Sequence, residues 1–464
     1  MRLIHWLFIL GTTWLFDSAL DAQVRLDLSD WPVKIGPEAQ LFVDEYLVAE
    51  KAGVQFRVHP AEKHAGNPIL RPAAWEDYVL VYGSVLREDA RWRMWYTNNL
   101  GLAYAESDDG LSWRRAEPNL LTKGHRGRSD TATILLNPDQ RDPDRKYLGY
   151  VMEYRYPDKD GIREQRREGV YLRTSPDGLK WVERPDPVMY GVWRAKPDNR
   201  QYTGYELGDV HHIYWDDRLK KLIGHVKLTD LESGVRMRGF CESGDGVHWS
   251  EPRLLWRADE QDQPGDQLYS MVVFPYESIW VGLVGVFHKT STDRLDIQLA
   301  FSRDGRNWSR PLREVFLENG PEGSFDWGVL HMSAAPPIRQ GARLWLYYGG
   351  SAVKHGARTR DRNSSGIGLA TLRPDGFVSV SAGNEPGTLL TRPLLCAGGK
   401  LTLNAVIRPE GWIRVNGSRP VVGDGLALPV EWADQDRLPP ATDGNYQRLH
   451  FEIKDADLYS FRIE

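Results

Sequence analysis

One seven-residue pattern, Ser-x-Asp-Gly-x-x-Trp, is written four times along this chain of 464 residues. It reads SDDGLSW at 107–113, SPDGLKW at 175–181, SGDGVHW at 243–249 and SRDGRNW at 302–308. A fifth, degenerate copy, LRPDGFV, carries Asp375 and Gly376 with Phe377 in the place of the Trp. The aspartates Asp109, Asp177, Asp245, Asp304 and Asp375 are separated by 68, 68, 59 and 71 residues. Recurrence on this scale means one supersecondary unit repeated, which constrains the fold more than any single residue does.

Each repeat reads as strands. Before each turn stands a short run, GLAYAES, GVYLRTS, RGFCES, IQLAFS or GIGLATL. Before that comes a more apolar run, WRMWYT, KYLGYVMEY, KLIGHVKL, IWVGLVGVF or RLWLYYGG. A third run opens the unit: YVLVYGSVL, TATILLNP, VHHIYW, LYSMVVF or LHMSAAPP. Their lengths, their β-branched and aromatic content and the Gly, Pro, Asp and Asn between them are strand and turn signals. A short strand after the turn carries the Trp. The expectation is an all-β chain, a five-bladed β-propeller of four-stranded meanders over 61–385. The tail, with LTLNAVIRPEGWIRV and RLHFEIKDADLYSFRIE, breaks the repeat and predicts a small C-terminal β-sandwich over 386–464. In the extension 23–60, AQLFVDEYLVAE reads as a strand that pairs with the last blade and closes the ring.

Residues 1–22 stand apart: Met1 and Arg2, an apolar stretch LIHWLFILGTTWLF, then Ala22 at a cleavage-type position. This pattern predicts a secretory signal peptide and a periplasmic or secreted protein. The apolar stretch is shorter than the roughly 20 residues of a spanning helix. Net charge is -5, with both signs interspersed and no basic run, which speaks against a nucleic-acid partner. Cys241 and Cys396 have no metal-ligand spacing; they read as buried apolar residues, with a disulfide the alternative.

The repeated turn is structural on this reading. Asp-Gly supplies the positive-φ position of a hairpin tip, and the Trp returns to pack on a neighbour. Chemistry is expected instead where the inner strands converge. Blade 1 opens with Trp75, Glu76 and Asp77, and blade 2 with Arg128 and Asp130, preceded by His125 and Arg126. Blade 3 opens with Glu206, Asp209 and His211, blade 4 with Asp266 and Tyr269, and blade 5 with Asp326, Trp327 and His331. A ring of carboxylates at one mouth of the channel is the expectation. Aspartate before a strand is also an ordinary turn residue, and each histidine alone an ordinary packed one. Phosphate loops, nucleophile elbows and clustered Cys/His metal sites are missing from the sequence. Carboxylates with aromatic residues in a cleft suit glycosidic bond cleavage. Trp75, Tyr78, Tyr82, Tyr269 and Trp327 are the candidate sugar platforms, with Arg128, His211, Asp266, Asp326 and His331 as further binding residues. No cofactor is required; a structural calcium ion near the axial carboxylates is compatible, although no EF-hand loop signals one. The expected partner is a carbohydrate.

The repeated turn after the third strand resembles that of the five-bladed clan formed by glycoside hydrolase families 32, 43, 62 and 68. The blade-1 stretch HPAEKHAGNPILRPAAWEDYVLVYGSVL, with RWRMWYT and GLAYAESDDGLSW, looks like family-32-like bacterial secreted proteins. The resemblance spans about 40–464 and implies a catalytic set of carboxylates from blades 1 to 3. By position these are Glu76 or Asp77, Asp130, and Glu206 or Asp209, sharing the roles of nucleophile or base, pKa support and general acid. The departures are specific. Blade 1 has Trp-Glu-Asp-Tyr instead of Trp-x-Asn-Asp-Pro, the inner strand of blade 2 opens with Ser-Asp-Thr rather than Arg-Asp-Pro, and blade 3 has no Glu-Cys. Fructan or sucrose specificity is therefore not implied. The alternatives are a non-catalytic glycan-binding propeller and, less in keeping with five repeats, a sialidase.

Overall fold

The computed structural model describes residues 31–116, 127–155, 167–190, 205–357, 364–442 and 444–464, with backbone alone at 127–130, 154–155 and 167–168. The expected signal peptide, 1–22, and His125 and Arg126 lie outside the described residues. The chain is all-β: apart from two single 3-10 turns, Glu45–Leu47 and Pro143–Arg145, the described residues form strands and connections. No helix among them is long and apolar enough to cross a membrane.

The repeats are antiparallel meanders. Unit 1 pairs Val79–Leu80 and Val85–Glu88 with Arg91–Asn98, then Gly101–Ser107 and Arg114–Arg115. Unit 2 runs Gly127–Leu136, Tyr147–Arg155, Arg167–Ser175 and Val182–Glu183. Unit 3 runs Tyr205–Asp216, Lys221–Asp230, Arg236–Ser243 and Arg253–Trp256. Unit 4 runs Asp266–Tyr276, Ile279–His288, Arg294–Ser302 and Trp308–Ser309. Unit 5 opens with Val329–Met332 and Ile338–Gln340 against Arg343–Ser351, followed by Ser365–Leu372. Its fourth strand is Glu62–Lys63, from the other end of the chain, with Lys63 opposite Ala370.

The N-terminal segment thus differs from expectation. Gln40–Leu41 and Val48–Ala52, within AQLFVDEYLVAE, pair not with unit 5 but with His450–Ile463 and Gly387–Thr391. The residues that join unit 5 are the polar pair 62–63. The segment is buried on both faces: Phe42 and Leu47 pack with Leu389, Phe451 and Phe461 of the C-terminal sheet, while Leu41 and Val43 face the core of units 4 and 5. That sheet has eight strands and is centred on the long pair Leu401–Val415 and His450–Ile463. It also takes Gln55–Val58 and Val378–Ala382, so it draws on residues well before 386.

The turns behave as read. In unit 1 the backbone N–H groups of Leu111 and Ser112 donate to Asp109 Oδ1, each at 2.7 Å, and Gly110 N donates to Ser107 Oγ at 2.9 Å. Asp177, Asp245 and Asp304 cap their turns in the same way. The four glycines that follow have φ between 72° and 78°, which only glycine adopts at little cost. The degenerate fifth copy has Arg373 where the others have Ser, and its aspartate turns outward. Asp375 accepts from Tyr276 Oη of unit 4 and from Asn404 and Ser460 of the C-terminal sheet.

Successive units are stitched through these turns. Trp95 of unit 1 donates its indole N–H to Gly178 O of unit 2 at 2.9 Å. Tyr150 of unit 2 donates to Gly246 O of unit 3 at 3.1 Å and meets the Trp249 ring edge-on at 5.7 Å. His225 of unit 3 packs edge-on against Trp308 of unit 4 at 5.6 Å. Units 4 and 5 meet at the parallel pair Leu295 and Val329. Inner strands follow the same order: Ala334 N of unit 5 donates to Gly83 O of unit 1, and Ala132 N of unit 2 to Tyr82 O of unit 1. All five inner strands line one narrow cavity of about 20 Å³, among them Tyr82, Ala132, His211, Met271 and His331. Cys241 and Cys396 are free and buried in separate cores.

Candidate functional site

The inner strands begin with carboxylates, but most of these turn into their own sheets. Glu76 is fully buried: its Oε1 accepts from Tyr96 Oη and Asn98 Nδ2, at 2.8 and 2.9 Å. Its Oε2 accepts from Arg115 Nε at 3.0 Å and Ala73 N at 2.8 Å. Asp266 pairs with His288 Nδ1 at 2.8 Å, and His288 Nε2 reaches Asp296 at 3.0 Å. Asp326 pairs with Lys63 Nζ at 2.6 Å and accepts from Tyr348 Oη at 2.9 Å. In each case the partner lies on a strand of the same unit. The mouth-lining ring of carboxylates expected from the sequence is therefore not formed by Glu76, Asp266 and Asp326. A buried carboxylate beside a hydroxyl, imidazole or ammonium is held there, because its desolvation is offset only by those bonds.

Asp209 follows the same rule with a different result. It pairs with Lys227 on the second strand of unit 3. That pair stands on the wall of a cavity of about 220 Å³, with Tyr78, Leu80, Tyr82, Thr97, Arg236, Tyr269, His331 and His355. Burial alone would raise the Asp209 pKa, but the Lys227 ammonium outweighs it and holds the carboxyl below its usual range. Burial likewise disfavours the charged ammonium, and Asp209 more than offsets that, raising the Lys227 pKa.

Tyrosines and histidines complete the wall. Tyr82 Oη lies 2.5 Å from His331 Nε2, with the rings 4.1 Å apart. The Tyr269 ring has Lys227 Nζ 4.4 Å and the Arg236 guanidinium 5.6 Å from its centre, a double cation–π arrangement. His355 packs against Tyr269 and Phe287, at 5.0 and 4.5 Å. Burial first, then the charges of Arg236 and Lys227, push its pKa down to about 4, so it is neutral at pH 7.

Of the residues singled out from sequence, Asp209, Tyr78, Tyr82, Tyr269 and His331 meet in this cavity. His211 lines the narrow cavity instead: its Nε2 is 3.0 Å from Tyr150 O and its Nδ1 3.1 Å from Thr131 Oγ1. Burial lowers its pKa to about 4, the mark of a packed neutral imidazole. Asp77 is exposed, and Trp75, Glu206 and Trp327 are half-buried; none of the four lines the cavity. Arg128 and Asp130 lie on Gly127–Leu136, but their side chains are outside the described residues. The next residue, Thr131, brings its hydroxyl 2.5 Å from the Asp209 carbonyl, so the two strand starts are adjacent.

Lys227, Arg236 and His355 are not legible as site residues in the sequence, because they lie beyond the inner strands, on the second and third strands of unit 3 and after Arg343–Ser351 of unit 5. The signal in the sequence is that Lys227 interrupts the apolar run KLIGHVKL; in the fold it is only 5% exposed. Among the described residues no group of three or more His, Cys, Asp or Glu side chains is placed to hold a metal ion.

No protein-family model matches the chain, and no curated protein does. Several solved structures are similar to it at low identity. An N-acetylgalactosamine deacetylase from F. plautii, in complex with blood group B trisaccharide, is 17% identical over 70% of this chain and 97% of its own, with a TM-score of 0.47. A thermostable family-43 glycoside hydrolase is 12% identical over 68% and 96%, with a TM-score of 0.46. A member of the GH130 family, whose glycoside hydrolases target β-1,2 mannosidic linkages in Candida mannan, is 14% identical over 68% and 95%, with a TM-score of 0.45.

Proposed function

We propose that this protein is an exported, glycan-active five-bladed β-propeller with a C-terminal β-sandwich, and that it hydrolyses glycosidic bonds in the cavity at the mouth of its inner strands. The observation that carries the reading is the Asp209–Lys227 pair on a wall of three tyrosines and two histidines. Phenol and imidazole groups hydrogen-bond hydroxyls, and their rings stack on the apolar faces of sugars. Asp209, kept ionised by Lys227, suits the base or nucleophile of a glycosidase and not its acid. The candidate for the partner acid is Asp130, on the inner strand of unit 2 next to Thr131, whose hydroxyl meets the Asp209 carbonyl; Asp77 and Glu206 stand off the cavity. Hydrolysis of this kind draws on two carboxyl groups and water, without a cofactor.

A second reading, a glycan-binding propeller without turnover, is favoured by one observation. Asp209 is the only carboxylate on the described wall of the cavity, and it is already paired. Incubation of the purified protein with a panel of oligosaccharides and aryl glycosides separates the two. New reducing ends, lost in Asp209→Asn, support hydrolysis. Binding without any release of product supports the second reading, and neither binding nor release overturns both.

A further inference from the structure

The wall between units 3 and 4 carries more positive charge than the Asp209 carboxylate balances. Lys227 and Arg238 stand opposite each other in the strand register of unit 3, and Arg236 lies two residues before Arg238. Side chains at these positions share one face of the sheet. All three touch Tyr269 of unit 4. Arg238, fully buried, donates from Nη1 to the Tyr269 carbonyl at 2.9 Å, while Lys227 and Arg236 lie over its ring.

The three cations are not equally satisfied. Lys227 is neutralised by Asp209. Arg238 spends its guanidinium on the backbone carbonyls of Tyr269 and His225 and does not line this cavity. Arg236 does line the cavity, and its side chain has one hydrogen bond, from Nη1 to Gln267 Oε1 at 2.8 Å. No carboxylate lies within ion-pairing distance of it among the described residues; Asp209 acts on it only from further away. His355, neutral, adds no charge. A half-buried guanidinium with unspent donors, in a concave wall of hydroxyl-binding side chains, matches a planar carboxylate, which it can engage through two parallel N–H bonds.

The geometry points to an acidic sugar as the ligand: a hexuronate residue whose carboxylate meets Arg236 while its ring hydroxyls face Tyr82, Tyr269 and His331. This assignment rests on the glycan reading above and deepens it. A sulfate ester would offer the same charge and also two oxygens to the fork, on a tetrahedral rather than a planar head; the planar carboxylate is the assigned group, and the test separates the two.

The test is titration calorimetry of the intact protein with four sets of short oligosaccharides. One set ends in D-galacturonate or D-glucuronate, one carries the methyl esters of those residues, one the neutral hexoses, and one a hexose 6-sulfate. The acids should bind about tenfold or more tightly than their esters, the scale of a charge-assisted pair. The preference should vanish in Arg236→Gln and survive in part in Arg236→Lys. The ester comparison needs no variant, so a misfolded variant does not blunt it. Equal binding of acid, ester and neutral sugar overturns this inference and leaves the glycan reading standing. Preference for the sulfate over the carboxylate overturns it as well. Failure of all four sets to bind overturns the glycan reading with it.

Discussion

The hydroxyl of Tyr347 donates to the carbonyl oxygen of Gly110 at 2.9 Å, and the Tyr347 ring meets Trp113 edge-on at 5.9 Å. Tyr347 belongs to unit 5 and Gly110 to the turn of unit 1, so this bond joins the last repeat to the first. It is the counterpart of the bond from Tyr150 to Gly246, which joins units 2 and 3. Tyr347→Phe keeps the ring and removes the donor. Leaving a buried carbonyl unpaired costs about 1–3 kcal/mol. A lowered midpoint in urea, with unit-1 amides losing hydrogen-exchange protection first, is the expected result.

The four turn aspartates predict an acid limit. Asp109 and Asp245 are held well below the usual carboxylate range, first of all by the backbone N–H groups of Ser112 and His248. Burial works against Asp177 and Asp304, yet the N–H groups of their turns still lower them. A depressed folded pKa gives stability that is present above the unfolded value and lost as pH falls through the folded one. The melting temperature should therefore drop below about pH 4, where unfolded aspartates begin to bind protons. Asp177→Asn should flatten that drop and leave ligand binding unchanged.

His288 predicts the opposite limit. Its bond to Asp296 is the main influence, and with Asp266 it outweighs burial and raises the imidazole pKa to about 9. A raised folded pKa gives stability that is complete below the unfolded value, near 6.5, and lost as pH rises through the folded one. Stability should decline between about pH 6.5 and 9 by this group's share. His288→Gln should abolish that decline, and an NMR titration of the His288 ring should show the shifted midpoint directly.

Two carboxylates from the same sequence pattern should respond differently to amide substitution. Glu76→Gln breaks a buried cluster around Arg115, Tyr96 and Asn98 and should cost about 3 kcal/mol, the scale for removing one partner of a buried pair. Asp209→Asn removes the charge that balances Lys227 at the cavity. It should lower glycan turnover at least about 100-fold, the scale of general acid–base contributions. Thermal melts and steady-state rates on both variants check the contrast; a Glu76 variant of full stability but no turnover would exchange the two assignments.

The turns were legible because their signal is local. Ser107, Asp109 and Gly110 satisfy one another within four residues, so the hairpin tip can be read without knowing the neighbours. The same holds for the strands, whose patterning shows in each unit. Residues 62–63 were not legible as the fourth strand of unit 5, because a two-residue polar strand carries almost no pattern of its own. AQLFVDEYLVAE has the stronger strand pattern, and its apolar side chains divide between two cores: Phe42, Leu47 and Val48 pack into the C-terminal sheet, and Ala39, Leu41 and Val43 against units 4 and 5.

What the sequence determined by itself is the repeat, its turn chemistry and the all-β class, all of which follow from contacts between near neighbours. What only the tertiary structure decided is which carboxylate faces the cavity. Glu76, Asp209, Asp266 and Asp326 look alike as acids opening an inner strand. Tyr96, Lys227, His288 and Tyr348, each on the next strand of the same sheet, capture them. Of these pairs, Asp209–Lys227 alone stands on the cavity wall, where Arg236 joins it from the third strand of unit 3 and Tyr269 from unit 4. A buried charge goes to the partner that can neutralise it, and that partner is set by strand pairing, which the order of residues along one strand does not show.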